Sequence, residues 1–276
     1  MSEPSRKMQV RAAWGAIFRF GLSTIMISLA LSVLALPWFR LSWWMMFRRC
    51  VSIAAAISLW LSIKHHEGRP LRSYGFWDFK VGKRQFLFGL LLGLGALVFL
   101  VLVGVAFGVY HFEVTLDHVR LWKTVIGFIP AVVLIGILEE LVFRGILLQH
   151  LLSISRPGAV IMSSVLYALV HVKTGLWTTS IWLELGGLFL LGVVLAISYV
   201  LTNQLYLAVG LHAALAYGVR VDKLVVKISD QSSMWLVGTS RLVNGLMSWM
   251  MLLGILGIIV WWARMTCRGG VRYEQS

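Results

Sequence analysis

The chain has 276 residues, of which 59% are hydrophobic and 13% are charged, and its mean hydropathy is +0.85. So little polar material cannot cover a soluble globule of this size, which predicts a polytopic membrane protein without a separate soluble domain. The formal net charge is +14. In so apolar a protein, an excess of Lys and Arg is typically located in cytoplasmic loops that face anionic lipid headgroups. Nucleic acid is therefore not an expected partner.

Eight apolar stretches are predicted to span the bilayer, because a membrane helix needs about 20 mostly apolar residues. In chain order they are 20–38, 45–63, 86–109, 124–149, 159–173, 183–203, 205–219 and 243–263. Backbone groups in lipid must be hydrogen-bonded within their own segment, so each stretch is predicted to be helical. The fold class is therefore all-α, a polytopic membrane bundle of about eight transmembrane helices. The whole chain, 1–276, is expected to form one membrane-embedded domain with a motif-bearing core at 124–219.

The longest polar connection, 64–85, is strongly basic and is therefore expected on the cytoplasmic side. Its cations are Lys64, Arg69, Arg72, Lys80, Lys83 and Arg84. With eight spans both termini also fall in the cytoplasm, although the basic region around Arg220 and Arg241 then lies outside, against the charge rule. We expect an integral multi-pass protein of a bacterial or archaeal cell membrane, with the lipid bilayer as a partner and no prediction of its oligomeric state.

Two pairs of glycines at four-residue spacing occur in the third stretch, Gly89 with Gly93 and Gly104 with Gly108. This spacing lets a neighbouring helix approach closely. We expect the pairs to serve packing within the chain, and dimerisation is the alternative.

Two adjacent carboxylates, Glu139 and Glu140, lie in the fourth stretch, where a charged group costs about 2.5 kcal/mol or more. Glu140 and Arg144 are four residues apart and share a helix face in the favourable acid-before-base order, so an ion pair is predicted. Glu139 points about 100° away. Without a charge partner its pKa should be raised, as a general base requires. The alternative is that both glutamates and Arg144 form one buried cluster that only fixes helix packing.

Two histidines, His171 and His212, also lie at membrane depth. At 1.5 Å per residue, Glu139, His171 and His212 lie roughly 15, 20 and 12 Å from the cytoplasmic side. Each histidine alone would be typical of a hydrogen-bonded core residue. Together with Glu139, in one layer of the bundle, they predict a site.

This ordered set of motifs resembles the type II CAAX prenyl protease family, also called the CPBP intramembrane glutamic endopeptidases. The resemblance runs from about residue 120 to 220 and extends loosely to the number of spans. The matching elements are Glu139-Glu140-xxx-Arg144, Tyr167-xxx-His171 and His212.

The resemblance implies an endopeptidase that hydrolyses a peptide bond of a peptide or protein substrate near the membrane. Glu139 and His171 would activate a water molecule, Glu140 and Arg144 would form the structural pair, and His212 would stabilise the oxyanion. No metal and no other cofactor are expected, because neighbouring glutamates cannot easily both be ligands when one is tied to Arg144. The sequence also contains no HExxH, no GxGD and no GxSG with a partnering histidine.

Two residues depart from the family pattern. Tyr167 stands where the family usually has Phe, and Ala216 stands four residues after His212, where it usually has Asn. Losing that amide removes an oxyanion donor, for which Tyr217 and Asn203 are the nearest substitutes. One alternative is therefore a catalytically weak or non-enzymatic membrane maturation or immunity factor. Another is a proton-coupled transporter, because carboxylates and histidines at membrane depth also relay protons. The sequence shows no internal duplication of the kind that transporters carry.

Overall fold

The computed structural model describes residues 6–68, 70–114, 116–171, 178–229, 233–237 and 245–268. The α-helices in these ranges are α1 Arg6–Ala35, α2 Trp43–Ser62, α3 Phe79–Ala106, α4 His118–Gly127, α5 Ile129–Glu140, α6 Gln149–Leu152, α7 Arg156–His171, α8 Thr179–Thr202, α9 Tyr206–Val225, α10 Met234–Val237 and α11 Leu246–Arg268. Short 3₁₀ turns occupy Leu36–Trp38 and Leu71–Tyr74, and π-helical segments occupy Ile63–Glu67 and Leu141–Leu148. The all-α prediction is confirmed.

Two cations that were used to predict the orientation in the membrane, Arg69 and Arg241, lie outside the described residues.

Each of the eight predicted stretches overlaps a helix, and six helical segments of the described chain are long and apolar enough to cross a membrane. They are Val10–Trp38, Trp43–His65, Arg72–Ala106, His118–Leu152, Thr179–Thr202 and Leu246–Thr266. The other two stretches fall on α7, which has 16 residues, and on α9, whose last turns contain Arg220, Asp222 and Lys223. The protein is a multi-pass membrane protein, and the predicted count of about eight spans is approximate.

Glycines let α3 and α9 approach each other closely. A Cβ atom added at Gly89 would collide with the carbonyl oxygen of Leu207, and one at Gly210 would collide with that of Phe86. Packing within the chain is therefore confirmed for Gly89 and Gly93. Gly104 also packs within the chain, but against the ring of Tyr110 and not against a helix. The expectation is wrong for Gly108, which forms a turn with φ of +68° and has no atom within 4 Å of an added Cβ.

A two-stranded antiparallel sheet joins the ends of α3 and α9, and the sequence analysis did not predict it. Strand β1, Tyr110–Phe112, pairs with β2, Val226–Ile228. Asp222 lies beside it, and burial raises the pKa of its carboxyl group to about 6. Burial and the Asp222 charge raise the pKa of Tyr110 to about 12. This pair lies about 15 Å along α9 from His212, so it is not part of the cluster of acids and histidines.

The predicted helix at 124–149 is divided into several segments. It breaks at Phe128, and Pro130 occupies the first turn of α5, where its missing N–H removes no hydrogen bond. The backbone becomes π-helical at Leu141, directly after Glu140, and stays so to Leu148. Such wider turns inside helices are frequent at functional sites.

Candidate active site

The ion pair predicted between Glu140 and Arg144 is present. Arg144 Nη1 donates to Glu140 Oε1 at 3.0 Å, and both side chains are 0% exposed. Arg144 Nη2 donates to the carbonyl oxygen of Gly192 at 3.1 Å, which ties this pair to α8. Both side chains are therefore closed to solvent.

Glu140 has a second partner that the sequence did not reveal. His212 Nδ1 lies 2.7 Å from Glu140 Oε1, the oxygen that also accepts from Arg144. A carboxylate oxygen can only accept, so Nδ1 carries the hydrogen. This bond fixes the orientation of the His212 ring and leaves its Nε2 atom facing away from Glu140.

Glu139 lies between the two histidines, so the predicted convergence of these three residues is present. Its Oε2 atom is 3.2 Å from His171 Nε2 and 3.7 Å from His212 Nε2. The side chains of Glu139 and His171 are 23% and 28% exposed, so neither is fully enclosed by the protein. The expectation that Glu139 has no charge partner is wrong, because two imidazole rings face it. The reason given for a raised pKa therefore does not hold.

Both imidazole rings aim the same nitrogen at Glu139. His171 Nδ1 lies 2.7 Å from the carbonyl oxygen of Tyr167, which can only accept, so this Nδ1 also carries a hydrogen. If both rings were neutral, two Nε2 lone pairs would face an ionised carboxylate. A stable arrangement needs at least one proton among these three groups, and a proton held in this way can be transferred.

Tyr167 contacts most of the polar side chains of the site. Its ring lies 4.3 Å from that of His171 and 6.2 Å from that of His212, measured between centroids. The guanidinium carbon of Arg144 lies 4.8 Å from the ring centroid, within cation–π range. The ring of Phe143 meets it edge-on at 5.1 Å. The aromatic rings therefore pack closely around the charged groups of the site.

The two substitutes named for the missing amide at Ala216 do not fit. Asn203 is exposed and has a left-handed conformation at the end of α8. It precedes His212 by nine residues, which at the helical rise is a separation of roughly 13 Å along the axis of α9. Tyr217 follows His212 by five residues, which turns it about 140° around α9. Ala216 itself lies one turn from His212 on the same face, so a methyl group stands where an amide was expected.

Gly192 is a site residue that the sequence analysis missed. Its carbonyl accepts from Arg144, and Ser164 of α7 packs directly against it. Among 26 glycines nothing in the sequence distinguishes this one.

Gly192→Ala is expected to lower the melting temperature of the purified protein. The new Cβ atom would lie 2.9 Å from Ser164 Cα, so α7 must move, at a cost of about 1–3 kcal/mol. Gly254→Ala is the matched control, because no atom lies within 4 Å of a Cβ at that position of α11. Equal melting temperatures for the two variants would contradict the close packing of α7 on α8.

The described residues include no group of three or more His, Cys, Asp or Glu side chains arranged to hold a metal ion. Within Glu140, the Oε1 atom accepts from both Arg144 and His212. The expectation that no metal or other cofactor is needed stays a prediction, which treatment with a chelator tests.

Residues 120–217 match the family described as type II CAAX prenyl endopeptidase, Rce1-like. This segment is similar to that family. It covers a little over a third of the chain, contains every residue of the site and confirms the resemblance found in the motifs. No curated protein matches the chain. At the level of the family, this match supports a CAAX-protease-like membrane endopeptidase, a hydrolase of peptide bonds.

Proposed function

We propose that the protein is a metal-independent intramembrane endopeptidase in which Glu139 and His171 activate a water molecule. The observation that carries the proposal is the placement of Glu139 Oε2 between two imidazole Nε2 atoms, at 3.2 and 3.7 Å. Glu139 is 23% exposed and can therefore be reached from outside the bundle, whereas Glu140 is 0% exposed. A carboxylate that is both reachable and in contact with proton carriers has the properties of a general base.

Hydrolysis would proceed without an acyl-enzyme intermediate. Glu139 takes a proton from water while the water oxygen attacks the carbonyl carbon of the substrate. His171 holds the water and relays the proton to the leaving nitrogen as the C–N bond breaks. The Tyr167 carbonyl fixes the His171 tautomer, which leaves Nε2 free for this exchange.

His212 would stabilise the oxyanion through Nε2. Its Nδ1 hydrogen is committed to Glu140, so Nε2 can donate only when the ring is protonated. The paired charges of Arg144 and Glu140 cancel, and a protonated His212 would balance the charge of Glu139. His212 would therefore stabilise the oxyanion only when it holds the proton that it shares with Glu139 and His171.

The substrate is proposed to be a peptide or protein at the membrane, with a prenylated C-terminal CAAX sequence as the first choice. The name of the matched family supports this choice. The site lies among apolar helices, where a lipid-modified terminus partitions readily.

A cleavage assay with a chelator tests this function. Purified protein in detergent is mixed with a quenched fluorescent peptide that ends in a farnesylated CAAX sequence, with and without EDTA and phenanthroline. We expect cleavage at the same rate in both conditions, and no cleavage by Glu139→Gln, which serves as the blank. Loss of activity with chelator and recovery with added metal would contradict metal independence.

Ala216 favours a second function, that of a non-enzymatic membrane maturation or immunity factor. The face of α9 that bears His212 lacks the amide donor expected one turn later. Folded wild-type protein that cleaves no CAAX or unmodified peptide in the same assay would support this reading over hydrolysis.

A further inference from the structure

The candidate active site has few hydrogen-bond donors left for a substrate oxygen. The Nδ1 hydrogens of His171 and His212 are donated to the Tyr167 carbonyl and to Glu140. Both terminal nitrogens of Arg144 are committed to Glu140 and Gly192, and this side chain is 0% exposed. The two imidazole rings can otherwise donate only through a proton on Nε2, and both Nε2 atoms face Glu139.

The hydroxyl group of Tyr167 is a donor that these contacts do not use. Among the described residues, it makes no hydrogen bond. The Tyr167 ring lies beside the rings of His171 and His212, whose Nε2 atoms both face Glu139 Oε2. These contacts bring the tyrosine close to the proposed base. The ring itself is held by His171 at 4.3 Å and by Arg144 at 4.8 Å, so the hydroxyl position is fixed before a substrate binds.

We propose that the Tyr167 hydroxyl donates a hydrogen bond to the oxyanion of the tetrahedral intermediate. It would thereby replace the amide that is absent at Ala216. The inference rests on the proposed function. Water adds to the carbonyl carbon, its proton passes to Glu139, and the carbonyl oxygen takes the negative charge while it accepts from Tyr167. When the C–N bond breaks, the proton passes to the nitrogen, the oxygen regains its double bond and the Tyr167 hydrogen bond weakens.

A preorganised phenol suits this task. An oxyanion donor must already point at the charge that develops, because a donor that reorganises during the reaction contributes less. Tyr167 is only 2% exposed, so packing restricts the movement of its ring. A phenylalanine would fill the same space and keep every ring contact, which makes the hydroxyl separable from the packing role.

Tyr167→Phe is expected to lower kcat for the farnesylated peptide by about 10- to 10²-fold, since one oxyanion donor is worth up to about 10²–10³ in rate. KM and the melting temperature should stay at their wild-type values. Adding Ala216→Asn to Tyr167→Phe should recover at least part of kcat, because it places an amide on the His212 face. Tyr217→Phe, which removes a phenol turned away from that face, is the control and should leave kcat unchanged.

The outcomes are distinguishable when Glu139→Gln is measured in the same assay. Cleavage that depends on Glu139 but proceeds at the wild-type kcat in Tyr167→Phe overturns the role of Tyr167 alone. Tyr167→Phe could instead lose activity, melt at a lower temperature and show no recovery when Ala216→Asn is added. That result would assign Tyr167 to packing and would also overturn its role at the oxyanion. If the wild-type protein shows no Glu139-dependent cleavage, the proposed function fails and the oxyanion role fails with it.

Discussion

Replacing Arg144 with alanine is expected to remove most of the folded protein from the membrane fraction. The substitution leaves the Glu140 carboxylate completely buried with His212 as its remaining partner, and it deprives the Gly192 carbonyl of a donor. Breaking a buried ion pair by removing one partner costs about 3–5 kcal/mol, which is a large share of the stability of a typical domain. Yield after extraction and the melting temperature in detergent measure the effect.

Arg120→Ala is the matched control for this prediction. Arg120 also pairs with a carboxylate on its own helix turn, at 3.2 Å from Asp117, but the two side chains are 79% and 56% exposed. Exposed pairs contribute about 0–1 kcal/mol, so yield and melting temperature should not change. Normal yield of Arg144→Ala would show that the Glu140–Arg144 pair does not support the fold.

A double substitution separates the lost charge from the lost packing. Glu140→Gln combined with Arg144→Met removes both charges, keeps an oxygen that accepts from His212 and retains a long apolar side chain beside Tyr167. Neutral replacements of both partners cost much less than the loss of one. The double variant should therefore be more stable than Arg144→Ala.

Local rules were sufficient to predict the helices and the ion pair. The apolar stretches identify helices because lipid leaves the backbone no other partner, and the spacing of Glu140 and Arg144 gives their contact directly. The break at Phe128 was not predicted, although Pro130 favours the first turn of a new helix. The π-helical backbone after Glu140 was not predicted either, because its wider turns depend on packing against other helices.

The partners that orient the site come from distant parts of the chain. Glu140 and His212 are 72 residues apart, and Arg144 and Gly192 are 48 apart. No spacing rule links such residues, so the sequence placed His212 with Glu139 but gave no sign of its bond to Glu140. The rise per residue predicts that Glu139, His171 and His212 lie at a similar depth in the bundle. The nitrogen of each ring that faces each acid is shown only by the side-chain geometry.

Replacing Glu139 with glutamine is expected to lower kcat/KM for the farnesylated peptide by about 10²–10⁴-fold, the range that a general base contributes. Glutamine has nearly the same shape, and its amide can donate to the Nε2 lone pairs of His171 and His212, so the protein should fold normally. It cannot take a proton from water at neutral pH. Initial rates of cleavage, together with the melting temperature, measure the two properties separately.

Glu113→Gln is the control, because that carboxylate is 54% exposed and lies 3.9 Å from His111, outside the acid and histidine cluster. Its rate should match that of the wild type. His171→Ala should be about as slow as Glu139→Gln. The combination of both should be little slower than either alone, since groups that act together in one proton transfer are not additive. A Glu139→Gln variant that cleaves at the wild-type rate would remove Glu139 as the base, and multiplicative losses in the double variant would mean that His171 acts in a separate step.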